Sequence, residues 1–182
     1  MAAAIESLMV THAASELEEV FRAHHSCVLK AAYRVTGSMA DAEDVAQSVF
    51  LRLARGTIEH SRISNLQGYL HRSAVNAALD LIRARGHRET VPVETAENLQ
   101  TSPSLSPERS HSSSEMKQLL RRELAQLNPR AAEMFTLRYL EGLDNPEIAE
   151  LMKTSQAVVA VTLHRTRARL KKSLREFRKG AS

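Results

Sequence analysis

The chain has 182 residues, 43% of them apolar and 4% aromatic, with no Trp, six Gly and five Pro. That suffices for one ordinary domain or two small ones, and so few Gly and Pro argue against an all-β chain built on many tight turns. The net charge of +4 is unevenly spread: residues 1–88 carry 10 basic and 9 acidic side chains, residues 89–114 carry 1 and 4, and residues 115–182 carry 14 and 8. A basic final third beside an acidic middle points to a nucleic-acid face there, although a solvated helix surface gives the same pattern. One cysteine, Cys27, excludes an intrachain disulfide and fits a reducing compartment. The sequence opens without a basic-then-apolar leader, and no apolar run nears the ~20 residues that span a bilayer. The expected location is the cytoplasm, without membrane insertion.

The spacing predicts a first helix over 15–35, with Leu17, Val20, Phe21, Val28, Ala32 and Val35 on one inward face. Thr36-Gly37-Ser38 stops it, Gly37 supplying a left-handed cap. A second helix follows Ser38. Asp41, Glu43 and Asp44 lie in its first turns, where the helix dipole favours acids, and Ala42, Val45, Ala46, Val49, Phe50 and Leu53 form its apolar face up to Gly56. After a loop, a third helix is expected over 66–85, with Leu66, Leu70, Ala74, Ala77 and Leu81 inward and Gly86 as its stop.

Thr101 to Ser114 holds seven Ser and two Pro and cannot bury enough apolar surface to offset its ordering entropy. With the unpatterned stretch before it, this reads as a flexible linker over 89–114, between a domain over 1–88 and another over 115–182. Four helices are expected in the second domain. The first, from Glu115, carries Leu119, Leu120, Leu124 and Leu127. Asn128-Pro129 then sets an N-cap and a first-turn proline for a helix to Leu140, with Phe135 and Leu137 inside. Asp144-Asn-Pro-Glu147 is a capping-box pattern opening a short helix through Met152, and Lys153-Thr154-Ser155 turns into a last helix over 156–178. The fold class is therefore all-α, two small helical domains joined by a linker.

The last two helices have helix-turn-helix spacing, with Ile148, Ala149, Val159 and Leu163 placed to pack them together. A plain bundle corner shares that pattern. The run His164 to Lys179 adds eight Lys or Arg and one acid, the footprint of phosphate neutralisation.

Several segments, in this order and with a linker between, resemble the extracytoplasmic-function sub-family of bacterial RNA polymerase sigma factors. They are Asp41-Ala-Glu-Asp-Val-Ala-Gln-Ser-Val-Phe-Leu-Arg-Leu53, Tyr69-Leu-His-Arg-Ser-Ala-Val-Asn-Ala-Ala-Leu-Asp80, Leu127 to Gly142, Ile148-Ala-Glu-Leu151 and Leu163-His-Arg-Thr-Arg-Ala-Arg-Leu170. The resemblance covers residues 16–88 and 115–175. It implies a transcription initiation factor that directs core polymerase to promoters and helps melt the −10 element. Asp41, Glu43, Asp44 and Gln47 would dock on a basic surface of the polymerase clamp. The loop over 58–65 and the third helix would hold the melted −10 strand. There Tyr69 would stack on a base, Arg62, Arg72, Arg83 and Arg85 would meet phosphates, and Asn76 and Asp80 match the family's spacing. The −35 duplex would meet Gln156, Ala160, His164, Arg165, Arg167, Arg169 and Lys171. Implied partners are core RNA polymerase, promoter DNA as duplex and melted strand, and commonly an anti-sigma factor; no cofactor, metal or catalytic residue is implied.

Two departures stand out. Where the family has Gly-Thr-Val-Lys-Ser-Arg-Leu-His-Arg, this chain has Ala157-Val-Val-Ala-Val-Thr-Leu-His-Arg165, losing two basic positions and exchanging two hydroxyl residues for valines. One lost bidentate base contact removes roughly 1–3 kcal/mol of discrimination, while small apolar residues still suit thymine methyls. Ser48 stands where the family commonly has an acid.

An enzyme fits poorly. The serine-rich stretch has no scaffold to activate a nucleophile, and His24, His25 and Cys27 fall within one helical turn and point different ways. A helix-turn-helix regulator acting without polymerase explains only the second domain. A protein that sequesters polymerase without reading promoters is the third reading.

Overall fold

A computed structural model describes the backbone of residues 2–55, 65–88 and 107–180, and the side chains of 15–55, 65–86 and 115–176. The described chain forms seven helices: α1 (Ala2–Thr36), α2 (Met39–Ala54), α3 (Leu66–Arg88), α4 (Pro107–Ala125), α5 (Pro129–Tyr139), α6 (Asn145–Leu151) and α7 (Gln156–Gly180). The all-α expectation and the element order hold.

Local chemistry explains most boundaries. Gly37 adopts φ +70° and its N–H closes α1 on the Tyr33 carbonyl at 2.7 Å. Ser38 then caps α2, its Oγ accepting from the Asp41 N–H at 3.3 Å. Asn128 Oδ1 accepts from the Arg130 N–H at 3.0 Å, with Pro129 in the first turn of α5. At α6 both halves of a capping box are present: Asp144 Oδ1 accepts from the Glu147 N–H at 2.9 Å, and Glu147 Oε2 accepts from the Asp144 N–H at 2.7 Å.

Three expected boundaries move. The helix placed over 15–35 starts at Ala2. The third does not stop at Gly86 but runs to Arg88, because one helical glycine weakens a helix without ending it. The segment expected as linker up to 114 is helical from Pro107, where proline suits a first turn. The stop expected at Gly56 lies outside the described residues.

The two helical domains pack against each other. In the first, α1, α2 and α3 enclose Val28, Val35, Ala42, Val45, Val49, Leu53, Leu70 and Val75; in the second, α5, α6 and α7 enclose Met134, Leu137, Ile148, Val159 and Leu163. Helix α3 also touches α4, α5 and α6, and the buried residues of both domains form one continuous cluster. That double role explains why α3 buries Val75, Ala78 and Leu79 as well as the expected Leu70 and Ala74. Phe21, expected inward, is instead 44% exposed.

Replacing Asp144 by Ala removes a side-chain cap and leaves the Glu147 N–H without its acceptor. The expected loss is about 0.5–2 kcal/mol of stability, read as a lower urea midpoint with unchanged slope.

Candidate nucleic-acid interface

Three surfaces carry the residues singled out above. The first is the outer face of α7. Lys153 takes a left-handed φ of 49°, letting the chain reverse between α6 and α7. The Ser155 Oγ accepts from the Val158 N–H at 3.3 Å. Val159, Leu163, Thr166 and Leu170 face inward, and Ile148, Ala149 and Met152 are buried on and beside α6. Gln156, Ala160, His164, Arg165, Arg167, Arg169 and Lys171 are all exposed, so the expected −35 set shares one accessible helix. Arg169 also reaches the Gln126 carbonyl at 3.4 Å. Val158 and Val161 are 45% and 50% exposed, so core packing does not account for these valines. They and Ala157 make an apolar stripe just before the basic run.

The second surface is a groove between α1 and α2 of about 710 Å³. Glu43, Asp44 and Gln47 line one side, and Leu17, Phe21, His25, Phe50 and Leu51 supply its apolar part. The Phe21 and Phe50 rings meet edge-on with centroids 4.8 Å apart, and the His25 ring lies 4.6 Å from that of Phe21. Leu51 is 47% exposed. The structure separates Asp41 from this group. Asp41 is buried, and its carboxylate takes both terminal nitrogens of Arg85, tying the start of α2 to the end of α3. Ser48 turns its hydroxyl back to the Val45 carbonyl at 2.8 Å.

The third surface is α3. Tyr69 is half-buried against the core. Asp80 is exposed and pairs with Arg83 at 2.9 Å. Arg72 and Asn76 do not face solvent alone: Arg72 Nε donates to Glu133 Oε1 at 2.5 Å and Asn76 Nδ2 donates to the same oxygen at 3.0 Å. Arg72 Nη1 also donates to the Leu151 carbonyl at 3.1 Å. Arg62 lies outside the described residues.

Five residues unflagged by sequence shape this face. Glu133 is buried on α5. Glu141, with a side chain 2% exposed, receives Arg34 Nη1 at 2.7 Å and His71 Nε2 at 2.8 Å. Arg121 Nε on α4 donates to the Val35 carbonyl at 3.1 Å. The signal for Glu133 was its place inside the run Ala132 to Leu137, where a buried charge demands a partner. Burial alone would raise the Glu141 carboxyl, but the hydrogen bonds and charges of His71 and Arg34 together outweigh it and hold it below its ordinary value of 4.5.

The chain is a two-domain helical protein with an exposed helix-turn-helix of the DNA-binding kind, and it carries a separate acidic-apolar groove. Residues 20–88 match the family model for sigma-70 region 2, and residues 117–170 match that for sigma-70 region 4. The RNA polymerase sigma-E factor of Streptomyces coelicolor is 32% identical over 87% of this chain and 86% of its own. The RNA polymerase sigma factor YlaC of Bacillus subtilis is 26% identical over 89% and 94%, and the ECF sigma factor SigE of Mycolicibacterium smegmatis 30% over 85% and 60%. The chain thus spans 60% of that last relative's length. It belongs to the extracytoplasmic-function family of RNA polymerase sigma factors.

The Glu141 cluster yields a pH prediction. Its folded carboxyl sits below the unfolded value, so it stabilises the fold above pH 4.5 and loses that contribution as the pH falls through the lower folded value. Glu141→Gln should therefore lower the urea midpoint near neutrality, and its gap from wild type should close in acid. A gap constant down to pH 3 contradicts this assignment.

Proposed function

We propose that this chain is an initiation factor that binds core RNA polymerase and brings it to promoters, without catalysing a reaction itself. The observation that carries this reading is the presence, in one chain, of an exposed basic recognition helix and a groove rimmed by Glu43, Asp44 and Gln47 over an apolar floor. The groove offers a basic, partly apolar polymerase surface both charge complementarity and burial. A regulator acting on DNA alone has no use for it. The second domain takes the −35 duplex through α7, and α3 takes the melted −10 strand with Tyr69, Arg72, Asn76, Asp80, Arg83 and Arg85. Partners are core polymerase, promoter DNA and an anti-sigma factor.

The −35 reading differs from that of the family pattern. Gln156, His164 and Arg165 supply polar contacts, whereas Val158, Ala160 and Val161 present methyl groups where threonine, lysine and serine stood in the resemblance, Ala157 replaces its glycine, and Thr162 its arginine. Methyl groups meet thymine C5-methyls, and Arg165, Arg167, Arg169 and Lys171 hold phosphates without reading sequence. Promoter choice then leans on the −10 half.

Run-off transcription with core polymerase and a promoter library tests the main reading; a chain that neither co-purifies with core nor starts transcripts refutes it. Leu51→Arg, at an exposed groove position, should weaken core binding roughly tenfold, about 1.4 kcal/mol, with the fold intact. Ala160→Lys should tighten duplex binding and shift −35 preference; unchanged affinity and preference would reject the altered reading.

A further inference from the structure

The first two turns of α7 turn valine methyls to solvent. The inward stripe of this helix is Val159, Leu163, Thr166 and Leu170. The opposite stripe, with the same spacing, is Ala157, Val161, His164 and Ala168, and all four are exposed. Val158 lies one turn before Val161, which lies one turn before Arg165, so these three share a face. Ser155 fixes the frame: its Oγ accepts from the Val158 N–H at 3.3 Å and its carbonyl from the Val159 N–H at 3.1 Å.

Helix chemistry alone gives no reason for valine here. It is a poorer helix former than alanine, and at an exposed position its methyls stay in water. It does supply one property. β-Branching holds χ1 in one well within a helix, so both methyls have a fixed direction before anything binds. Such a group meets a small apolar partner with little side-chain entropy left to lose.

The neighbouring residues identify that partner. A recognition helix brings its N-terminal residues to base edges in the major groove. From Gln156 to His164 there is no Lys or Arg, so these turns lack the side chains that pair with guanine. The basic run starts at Arg165, and with Arg167 and Arg169 it complements a phosphate backbone. The major groove offers one apolar group, the C5-methyl of thymine, and 5-methylcytosine carries a methyl on the same carbon. Gln156, at the head of the helix, has the amide that pairs with adenine, the partner of thymine.

We propose that Val158 and Val161 are specificity-determining residues that read the C5-methyl group of pyrimidines in the −35 duplex, so that the chain selects thymine there and accepts 5-methylcytosine, but not cytosine, in its place. The inference rests on the reading of α7 as the −35 helix. It makes upstream recognition a matter of methyl groups rather than of hydrogen-bonding edges. It also makes cytosine methylation a signal for this chain: a methyl added opposite either valine strengthens the site with no change of base sequence.

The test uses the holoenzyme, this chain with core polymerase, on duplex promoters that it selects from a random library. Their upstream half is synthesised with thymine or with deoxyuridine, which lacks only the methyl, and the downstream half stays unmodified. Competition anisotropy reads the relative affinities. Deoxyuridine should weaken wild-type binding roughly fourfold for each methyl contacted, the ratio expected from exposing one methyl-sized group. Val158→Ser combined with Val161→Ser, both at exposed positions, should bind the two forms alike. Varying protein and DNA together cancels the effect of the methyl on the duplex itself. With cytosine placed at the sensitive positions, its 5-methyl form should bind wild type roughly fourfold tighter and the double variant no tighter. An equal thymine-to-deoxyuridine ratio in wild type and double variant overturns the proposal. So does a double variant that loses self-association in light scattering while that ratio holds, since the stripe is then a contact between two copies. Arg165→Ala with Arg167→Ala separates the two readings. If it leaves affinity for both forms unchanged, α7 is not on the duplex, and the −35 reading fails together with the proposal. If it weakens both forms while the valine variants leave the ratio unmoved, the −35 reading stands and only the methyl reading falls.

Discussion

A carboxylate leaves water at a cost of several kcal/mol unless charged or hydrogen-bonding partners replace its hydration. Glu133 meets that condition only because α3 of the other domain supplies Arg72 and Asn76. Much else depends on this contact. It sets α5 against α3, brings Leu151 at the end of α6 within reach of Arg72, and places Glu141 between Arg34 and His71. The packing that follows buries Val75, Ala78 and Leu79 and merges two small cores into one. Each domain alone is small enough for its stability to be marginal, so shared burial matters to both.

The same contact separates features that look alike in sequence. Arg72, Arg83 and Arg85 are three cations on one helix, yet each has a different neighbour. Arg72 faces the second domain, Arg83 pairs with Asp80 one turn back, and Arg85 holds Asp41 within the first domain. Asp41 likewise belongs to the frame, while Glu43, Asp44 and Gln47 remain on the groove. Charge identity predicts that a residue needs a partner; only the fold decides whether that partner is inside the chain.

Local signals were legible and relational ones were not. Ser38, Asn128 and the Asp144–Glu147 box announced their helix starts because a cap is a contact between near neighbours. The face of α7 was equally readable, since helical period alone separates Val159 and Leu163 from Arg165 and Arg167. The contacts of Arg34, His71 and Arg121 were not, because their partners lie far along the chain and periodicity carries no long-range register. Phe21 misled for a related reason: it sits on the apolar stripe of α1, but the stripe outruns the core and its edge becomes the groove. The early start of α4 reflects a proline whose fixed φ suits a first helical turn as well as a break.

Gly37 closes α1 with a left-handed turn, and a Cβ built there would lie 1.7 Å from an Arg121 nitrogen. The absent side chain is thus a socket as well as a conformational allowance. Any larger residue at this position strains the turn of one domain and evicts the anchor of the other in a single step. The turn and the seat are therefore inherited together: a sequence change that looks confined to a short loop alters how the two halves of the molecule are held.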